Sequence, residues 1–362
     1  MVFLSIPAIQ TSLGSYATGE INEAYGTDIK IEKVGLQFNG DVELKNILIK
    51  DHFEAPMISI SELNSSVLSF VKIANNELEF GGIDLYNLFF HIKTYRGEGE
   101  TSLDVFVDKF DRKNPSKNNK KFSLSSVSLN IYNSSFRLTD ENKQNPDVLD
   151  FKDLDILASD FLISGSDIDT KIRRLSFKDS RGVALKNLQT DFSYSPTQMV
   201  FSDLQMETLT SLVSGQLQFD YQREDLKSFS NKVQLSGFFK NSTIDLEELN
   251  LLYDEFGANQ KLQFSSSFSG TLENLILEDF NLSNSRNTSI IGKLHFRKLF
   301  ESTTDDFELD GEFEEIASNY QELVALLPRV LGNTIPSGFK ALGRFNMHGQ
   351  ANITRESVKA VM

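Results

Sequence analysis

Histidine and cysteine, the side chains that most often ligate metals or act as nucleophiles near neutral pH, are scarce in this chain. The chain has four histidines and no cysteine among its 362 residues. No two histidines stand at the short spacing that a metal site on a turn or helix requires. The sequence therefore predicts no zinc site, no thiol chemistry and no disulfide. It leaves all four histidines as ordinary surface or rim residues: His52, His91, His295 and His348.

The remaining motifs that could carry chemistry are incomplete. Gly97-Glu98-Gly99 lacks the third glycine and the following helix of a dinucleotide-binding loop. Two acidic clusters, at 140–147 and 160–169, offer oxygen ligands. Neither has the alternating Asp, the central Gly and the distal Glu of a calcium loop. We therefore predict that the chain is not an enzyme and that it needs no cofactor and no metal.

Charge excludes a further class of function. The net charge is -15 and the sequence pI is near 4.8, which argues against binding nucleic acid or an anionic membrane through a broad basic patch. The one basic cluster, at 111–121, contains proline and several asparagines and has no apolar periodicity. We interpret it as an exposed loop.

The elements that would position any site are strands. Apolar and polar residues alternate strictly in several segments, and this pattern is typical of a sheet with one wet and one dry face. The clearest examples are 216–221, 261–265, 306–310 and 344–348. The chain also has 30 Phe and no Trp, and Phe can line a dry surface without needing a hydrogen-bond partner. His91, His295 and His348 fall at wet-face positions.

The predicted fold is mainly β, an extended and curved antiparallel sheet that forms an open groove of repeated units, with about three short helices. One helix is indicated from Ile9 to Tyr25 by apolar residues at helical spacing, with Gly26 at its C-terminus. With so few helices, the dry face is covered either by a second sheet face or by something other than protein. The sequence alone leaves both possibilities open.

Internal repetition supports the idea of repeated units. Gly237 and Gly311 are 74 residues apart, and the same 74 residues separate the Glu-Leu pairs at 248–249 and 322–323. Gly270 and Gly349 are 79 apart, which indicates a few extra residues in the second copy. Each copy is predicted to be a strand, a short helix and a strand, followed by further strands. A looser Leu-x-Asn-apolar motif at 44–47, 185–188 and 272–275 suggests a recurring corner.

These patterns predict four parts of the chain. Residues 1–26 form a membrane-proximal helix, or alternatively a cap on the first strands; 27–110 form a first β-groove portion; 111–121 form the basic loop; and 122–362 form a repeated β-groove portion with units near 233–305 and 307–362. No apolar run approaches the roughly 20 residues of a membrane-spanning helix. Because both ends lie inside apolar or alternating runs, we expect the chain to be a piece of a longer one with its membrane anchor upstream.

The repeat resembles a known family. The segments 233–237, 269–277 and 291–296, with the short helix between the first two, are similar to the recurrent module of AsmA-like proteins. The opening at 6–14 and the run at 21–31 resemble the exit from the membrane anchor in TamB-type translocation and assembly proteins of Gram-negative bacteria. Shorter segments at 138–143, 176–182 and 253–257 also resemble such sequences. The resemblance covers most of the chain, through diffuse apolar patterns.

The resemblance implies a periplasmic protein anchored in the inner membrane, whose β-groove carries phospholipid between the inner and outer membranes. It also implies a role in assembling outer-membrane proteins with a barrel partner, which would bind through a C-terminal region that this chain lacks. An assembly factor or chaperone for outer-membrane proteins is therefore the alternative function. A surface adhesin with a filled core is a third.

The candidate groove lining consists of the dry-face residues of the clearest strands. Acyl chains are the predicted ligand, since about 0.8 kcal/mol per buried CH₂ favours removing them from water. The alternative is that these side chains pack against one another in a closed sandwich. They are Leu217, Phe219, Val233, Leu235, Leu262, Phe264, Phe268, Leu294, Phe296, Phe307, Leu309, Phe345 and Met347.

Overall fold

The computed structural model divides the chain into two compact units, Met1–Ala184 and Leu185–Met362. It describes residues 7–37, 40–67, 77–111, 123–251, 256–298, 307–328, 331–332, 335, 337–354 and 357–361. Both units are built mainly from strands, which confirms the predicted fold class. The basic loop expected at 111–121 lies almost entirely outside the described residues.

The described residues contain five α-helices, more than the three or so that the sequence predicted. Their bounds are Pro7–Tyr25 (α1), Ser102–Asp111 (α2), Phe229–Lys232 (α3), Leu246–Leu249 (α4) and Tyr320–Leu326 (α5), with 3-10 turns at Arg223–Ser228 and Ser337–Leu342. None of the helices among these residues is long and apolar enough to cross a membrane.

Helix α2 falls in a segment whose composition suggests a strand. Val105, Phe106 and Val107 are residue types enriched in strands. A capping box overrides that preference: Thr101 Oγ1 accepts a hydrogen bond from Asp104 N, and the Asp104 carboxylate accepts one from Thr101 N.

Helix α1 corresponds to the helix predicted at 9–25, and it lies along the outer edge of the first strand, β1 (Asp28–Leu36). It ends at Gly26, whose φ is +67°. The Asn22 side chain donates to Ile29 O and accepts from Ile29 N, both at 2.8 Å. The side-chain amide thus imitates a neighbouring strand and satisfies part of an edge that would otherwise be exposed.

Gly19 provides a test of how firmly α1 is folded. A Cβ added there would meet no atom within 4 Å. Glycine in the interior of a helix costs roughly 1 kcal/mol relative to alanine. We therefore expect Gly19→Ala to raise the free energy of unfolding of the first unit by about 0.5–1 kcal/mol, as measured by urea denaturation. A loss of stability would mean that α1 is not helical at this position.

In the first unit β1 is followed by seven more strands. They are Asp41–Lys50 (β2), Pro56–Val67 (β3), Glu77–Tyr86 (β4), Phe89–Thr94 (β5), Ser123–Asp140 (β6), Asp147–Ser164 (β7) and Asp167–Asp179 (β8). Neighbouring strands pair antiparallel, except that β4 and β5 both run parallel to β6. A parallel pair requires a crossover, and the segment between β5 and β6, which contains α2, provides it. The sheet is therefore mixed, whereas the sequence predicted an antiparallel one.

A two-residue strand (Ala184–Leu185, β9) precedes the strands of the second unit, which form an antiparallel meander. These are Asn187–Ser195 (β10), Gln198–Glu207 (β11), Leu212–Asp220 (β12), Gln234–Asp245 (β13), Lys261–Thr271 (β14), Asn274–Asn284 (β15), Ser289–Arg297 (β16), Glu308–Asn319 (β17), Arg344–Thr354 (β18) and Val358–Val361 (β19).

Many strands are interrupted by a bulge whose extra residue is Asn or Asp with positive φ. These two residue types tolerate the left-handed conformation better than other residues with a side chain. In the second unit such a residue occurs in β11, β13 and β15, at Asp203, Asn241 and Asp279. Each bulge bends its strand and increases its twist.

The sequence repeat corresponds to two copies of a strand–helix–strand unit, β13–α4–β14 and β17–α5–β18. Sheet register corrects one detail of the alignment. Phe239 pairs with Ser266, and its counterpart Phe313 pairs with Gly349. Gly349 therefore occupies the position of Ser266, not that of Gly270, and the insertion in the second copy is longer than the glycine spacing indicated.

The Glu of the repeated Glu-Leu pair fastens α4 to the turn between β11 and β12. The Glu248 carboxylate accepts hydrogen bonds from Thr208 Oγ1, Ser211 Oγ and Thr210 N. Burial raises the pKa of Glu248, but these hydrogen bonds outweigh it and hold the pKa below its usual value. The counterpart, Glu322, instead lies 3.7 Å from Arg286 Nη1.

We expect Glu248→Gln to lower the free energy of unfolding by about 1–3 kcal/mol at pH 7, because the three donors would lose a charged acceptor. The pKa is depressed in the folded state. The carboxylate therefore stabilises the fold above its unfolded-state pKa of about 4.3, and this contribution is lost as pH falls through the folded-state pKa. Urea denaturation should show the difference between wild type and variant shrinking below about pH 4. Glu247→Gln, at the exposed neighbouring position, is the control.

Candidate functional site

The sheet of the second unit presents one continuous apolar face. Residues that are direct partners in an antiparallel sheet point to the same side, so register alone assembles transverse rows of side chains. Row 1 crosses nine strands and consists of Tyr194, Met199, Phe219, Leu235, Gly270, Leu275, Phe296, Leu309 and Ile353.

Two further rows run beside the first. Row 2 consists of Phe192, Phe201, Leu217, Gly237, Phe268, Leu277, Leu294, Gly311 and Ala351. Row 3 lies beyond the bulges and consists of Phe264, Leu282, Ile290, Ile316 and Met347. Contacts of Phe239 with both Phe264 and Phe268 join the rows on one face. We call rows 1–3 together the apolar face.

The structure brings nine of the thirteen predicted lining residues together in these rows. Row 1 contains four of them, Phe219, Leu235, Phe296 and Leu309. Row 2 contains three, Leu217, Phe268 and Leu294, and row 3 contains two, Phe264 and Met347. Three others, Val233, Leu262 and Phe307, belong to the buried clusters that adjoin the rows. Phe345 lies on β18 against Phe339, with ring centroids 5.8 Å apart.

The opposite face of the same strands is polar. One register there contains Gln218, Ser236, Ser269, Ile276, His295, Asp310 and Asn352. Arg297 Nη1 lies 2.8 Å from a Glu308 carboxylate oxygen and 2.7 Å from one of Asp310. The hydrogen bond from Asn352 holds the pKa of Asp310 below its usual value, and the Arg297 guanidinium lowers that pKa further. The sheet therefore separates an aqueous side from an apolar side, as the alternation in the sequence predicted.

Helices and turns cover the ends of the strands. In the middle of the sheet, the apolar side chains pack against those of the neighbouring strands. Phe229 of α3 contacts Phe219 near row 1, and Leu246 of α4 and Leu326 of α5 pack with Leu262 beside row 3. Each of the three buried clusters among the described residues is built from consecutive strands with the adjoining helices and turns, and none draws on a facing sheet. Several members of the rows, including Phe219, Phe264 and Phe296, are only half-buried.

Glycines let the phenylalanine rings lie close to the sheet. Phe268 pairs with Gly237, Phe239 with Gly215, and Phe313 with both Gly292 and Gly349. A Cβ at Gly215 would lie 1.9 Å from Phe238 O of the next strand. Such a distance is impossible without a backbone shift, so this position requires glycine.

The first unit also has apolar rows, which the sequence analysis did not select. One consists of Val34, Leu44, Leu63, Leu85, Ile131, Ile156 and Leu175. Another consists of Ile29, Ile49, Ile58, Phe90, Phe136 and Phe151. Val42 and Leu44 alternate with charged residues in β2, which is a sequence signal for the first of these rows. The pairing of β4 and β5 with β6 could not be predicted from the sequence.

One compact cluster of polar groups in the first unit has a structural role. Tyr95 Oη donates to Asp51 Oδ2 at 2.6 Å, and His52 Nε2 lies 3.0 Å from Glu98 Oε2. Burial raises the pKa of the Tyr95 phenol, and the Asp51 carboxylate raises it further. Asp51 also accepts from Phe53 N and Ala55 N. The cluster thus fastens two loops together. In the part of the chain that the structure describes, no three His, Asp or Glu residues are placed to hold a metal.

Comparison of the chain with models of known families, with curated proteins and with solved structures gives no match. The functional argument therefore rests on the residues and on their arrangement in the sheet.

Proposed function

We propose that this chain is a non-enzymatic lipid-binding protein whose apolar face carries the acyl chains of phospholipids. The observation that supports the proposal is the register of rows 1 and 2, which keeps apolar side chains or glycine in line across nine strands. Several of these side chains are only half-buried, and extended apolar surface that is left partly uncovered usually marks a site for a ligand or a partner.

The dimensions of the face suit a lipid. Strands in a sheet lie about 4.8 Å apart, so nine strands extend roughly 40 Å along a row. The hydrocarbon core of a bilayer is about 30 Å thick, and an acyl chain spans roughly half of it. One row is therefore longer than two acyl chains placed end to end, and a lipid could occupy several equivalent positions along it.

Similar positions along a row favour transport over storage. The rows repeat the same few residue types, mainly Leu, Phe, Ile and Gly, and form no distinct pocket for one lipid. The free energy of binding an acyl chain should therefore vary little from one strand to the next. Each buried CH₂ contributes about 0.8 kcal/mol wherever along the row it lies. A lipid would then move along the face without any chemical step.

The resemblance to TamB-type proteins supplies the proposed setting. We place the chain in the periplasm, in a protein anchored to the inner membrane, where the lipid would pass between the inner and outer membranes. A long sheet with one apolar face and one charged, polar face is consistent with a position in water between two sources of lipid.

Lipid bound to the purified protein tests this proposal. The protein should be produced in cells that contain membranes and purified without detergent, and its lipid extract quantified by mass spectrometry. We expect phospholipid in near-stoichiometric amount. Protein that is lipid-free and takes up no phospholipid from vesicles would contradict the proposal.

A further inference from the structure

The connection between β12 and β13 is longer than two neighbouring connections at the same end of the sheet. Two residues join β10 to β11, and two join β14 to β15. Residues 221–233 separate β12 from β13, and they form a 3-10 turn and helix α3. Hairpin connections are usually about two to five residues long, and longer ones often carry a function. We call residues 222–232 the connecting segment.

The connecting segment is held firmly at both ends and only partly packed between them. Tyr221 and Val233, which flank it, are 5% and 0% exposed and belong to the buried cluster beside row 1. Tyr221 N also donates to Thr197 O at 2.9 Å. Within the segment, Leu226 and Phe229 are both 39% exposed, and no residue of α3 is buried. Such a segment opens locally at lower cost than the sheet that anchors it.

Phe229 and Ser230 join the connecting segment to the sheet. The ring centroid of Phe229 lies 5.6 Å from that of Phe219 in row 1. Ser230 bonds to the turn between β14 and β15: its Oγ donates to Glu273 Oε1 at 3.1 Å, and its carbonyl accepts from Glu273 N at 3.0 Å. The segment therefore reaches from β12 to the turn after β14 and lies over this part of row 1.

We propose that the connecting segment is a lid that controls the entry of acyl chains into row 1 beside Phe219. Release of the Ser230–Glu273 pair opens it, and its two buried ends act as hinges. After an acyl chain has entered, Phe229 closes over the chain and is removed further from water, which favours the closed, lipid-bound state. This inference rests on the proposed lipid binding and adds how lipid enters the site.

A reversible cross-link tests whether the connecting segment must open. The chain has no cysteine, so Ser230→Cys with Glu273→Cys supplies its only pair of thiols. Residues bonded through the backbone in a sheet have Cα atoms about 5.5 Å apart, a separation that a disulfide spans. Benzoylphenylalanine would replace Phe219 in one such protein and Phe296, two strands beyond β14 in row 1, in another.

Each protein would be mixed briefly with vesicles of phosphatidylethanolamine and phosphatidylglycerol, irradiated, and analysed by intact-mass spectrometry. At position 219 we expect at least about tenfold fewer phospholipid adducts in the oxidised protein than in the same protein reduced with dithiothreitol. At position 296, which the connecting segment does not cover, oxidation should leave the adducts unchanged.

Ser230→Ala provides a test that needs no disulfide. It removes the hydrogen bond from the hydroxyl to the Glu273 carboxylate and so weakens the closed state. Adducts at position 219 should then form about three- to tenfold faster after mixing. Ser228→Ala is the matched control, because the Ser228 side chain lies in the same segment and makes no capping hydrogen bond. This control should keep the wild-type rate.

Equal adducts at position 219 in the oxidised and reduced forms would overturn the lid, and so would a wild-type rate in Ser230→Ala. A loss of adducts at both positions on oxidation would also overturn it, because the effect would not be local to the segment. If the two thiols do not oxidise, the rate in Ser230→Ala decides alone. Adducts at neither position in any form would contradict lipid binding itself, and the lid would fall with it.

Discussion

Replacing Phe219, Phe264 and Phe296 together by Asp should reduce the phospholipid bound to the purified protein at least about tenfold. The three rings are half-buried and lie in rows 1 and 3 of the apolar face. Full burial of a phenylalanine is worth roughly 1.5–3 kcal/mol, and 1.4 kcal/mol corresponds to a tenfold change in affinity. A carboxylate would also lose hydration beside an acyl chain. Mass spectrometry of extracted lipid measures the effect.

Phe238→Asp is the matched control, because Phe238 adjoins Phe239 in β13 but points to the polar face and is 38% exposed. We expect this variant to retain its lipid. Circular dichroism and urea denaturation of both variants separate loss of lipid from loss of fold. If the triple variant were folded and still carried wild-type amounts of lipid, the apolar face would not be the binding site.

Gly215→Ala should destabilise the second unit by about 3 kcal/mol, at the upper end of the cost of overpacking. The added methyl group would lie 1.9 Å from Phe238 O and within 3.0 Å of further backbone atoms of β13. Backbone cannot move aside as a flexible side chain can, so the pairing of β12 with β13 would have to shift. The midpoint of urea denaturation measures the effect.

Gly35→Ala is the control for this substitution. Gly35 also lies in a strand, and neither glycine has a positive φ. A Cβ at Gly35 would meet its nearest atom, in Glu43, at 3.5 Å, which is an ordinary contact. We expect a change within about 0.5 kcal/mol. Equal stability of the two variants would contradict the close approach of β12 and β13.

The two-residue periodicity was sufficient to predict the two faces within single strands. In β14, Leu262 was assigned to the dry side and is buried, while Lys261 and Gln263 are exposed. In β12, Leu217 and Phe219 were assigned to the same side and lie in adjacent rows. Alternation identifies a face because successive side chains of a strand point to opposite sides.

Bulges reduced the accuracy with which the sequence predicted the face of the sheet on which each residue lies. In β15 the apolar positions are Leu275 and Leu277 before Asp279, and Phe280 and Leu282 after it. The extra residue shifts the alternation by one position. A strict two-residue period would therefore assign Phe280 to the polar face, although it is 9% exposed and buried in the core. Asn and Asp with positive φ mark these positions, but the same residue types are common in turns.

Breaks between strands were also set by residues other than glycine. Two consecutive glycines often mark the end of a strand, yet β4 runs through Gly81 and Gly82 to Tyr86. The strand ends instead just before Asn87, whose φ is 54° and whose N–H donates a hydrogen bond to Tyr132 O. The pairing of β4 and β5 with β6 involves residues far apart in the sequence, and local patterns do not encode it.

The Leu-x-Asn-apolar motif does not mark one recurring corner. Asn46 has positive φ in the middle of β2, whereas Asn187 and Asn274 are the first residues of β10 and β15. The spacing of the repeated Glu-Leu pairs was more informative, because both pairs lie in helices that join two long strands.

Photo-crosslinking from the apolar face is the most direct test of the central claim, that this face binds phospholipid acyl chains. Benzoylphenylalanine would replace Phe296 in one protein and Phe238 in another, and each would be irradiated in cells that contain membranes. The account predicts phospholipid adducts, identified by intact-mass spectrometry, at position 296 and none at position 238. Equal adducts at both positions, or none at 296 in folded protein, would contradict it.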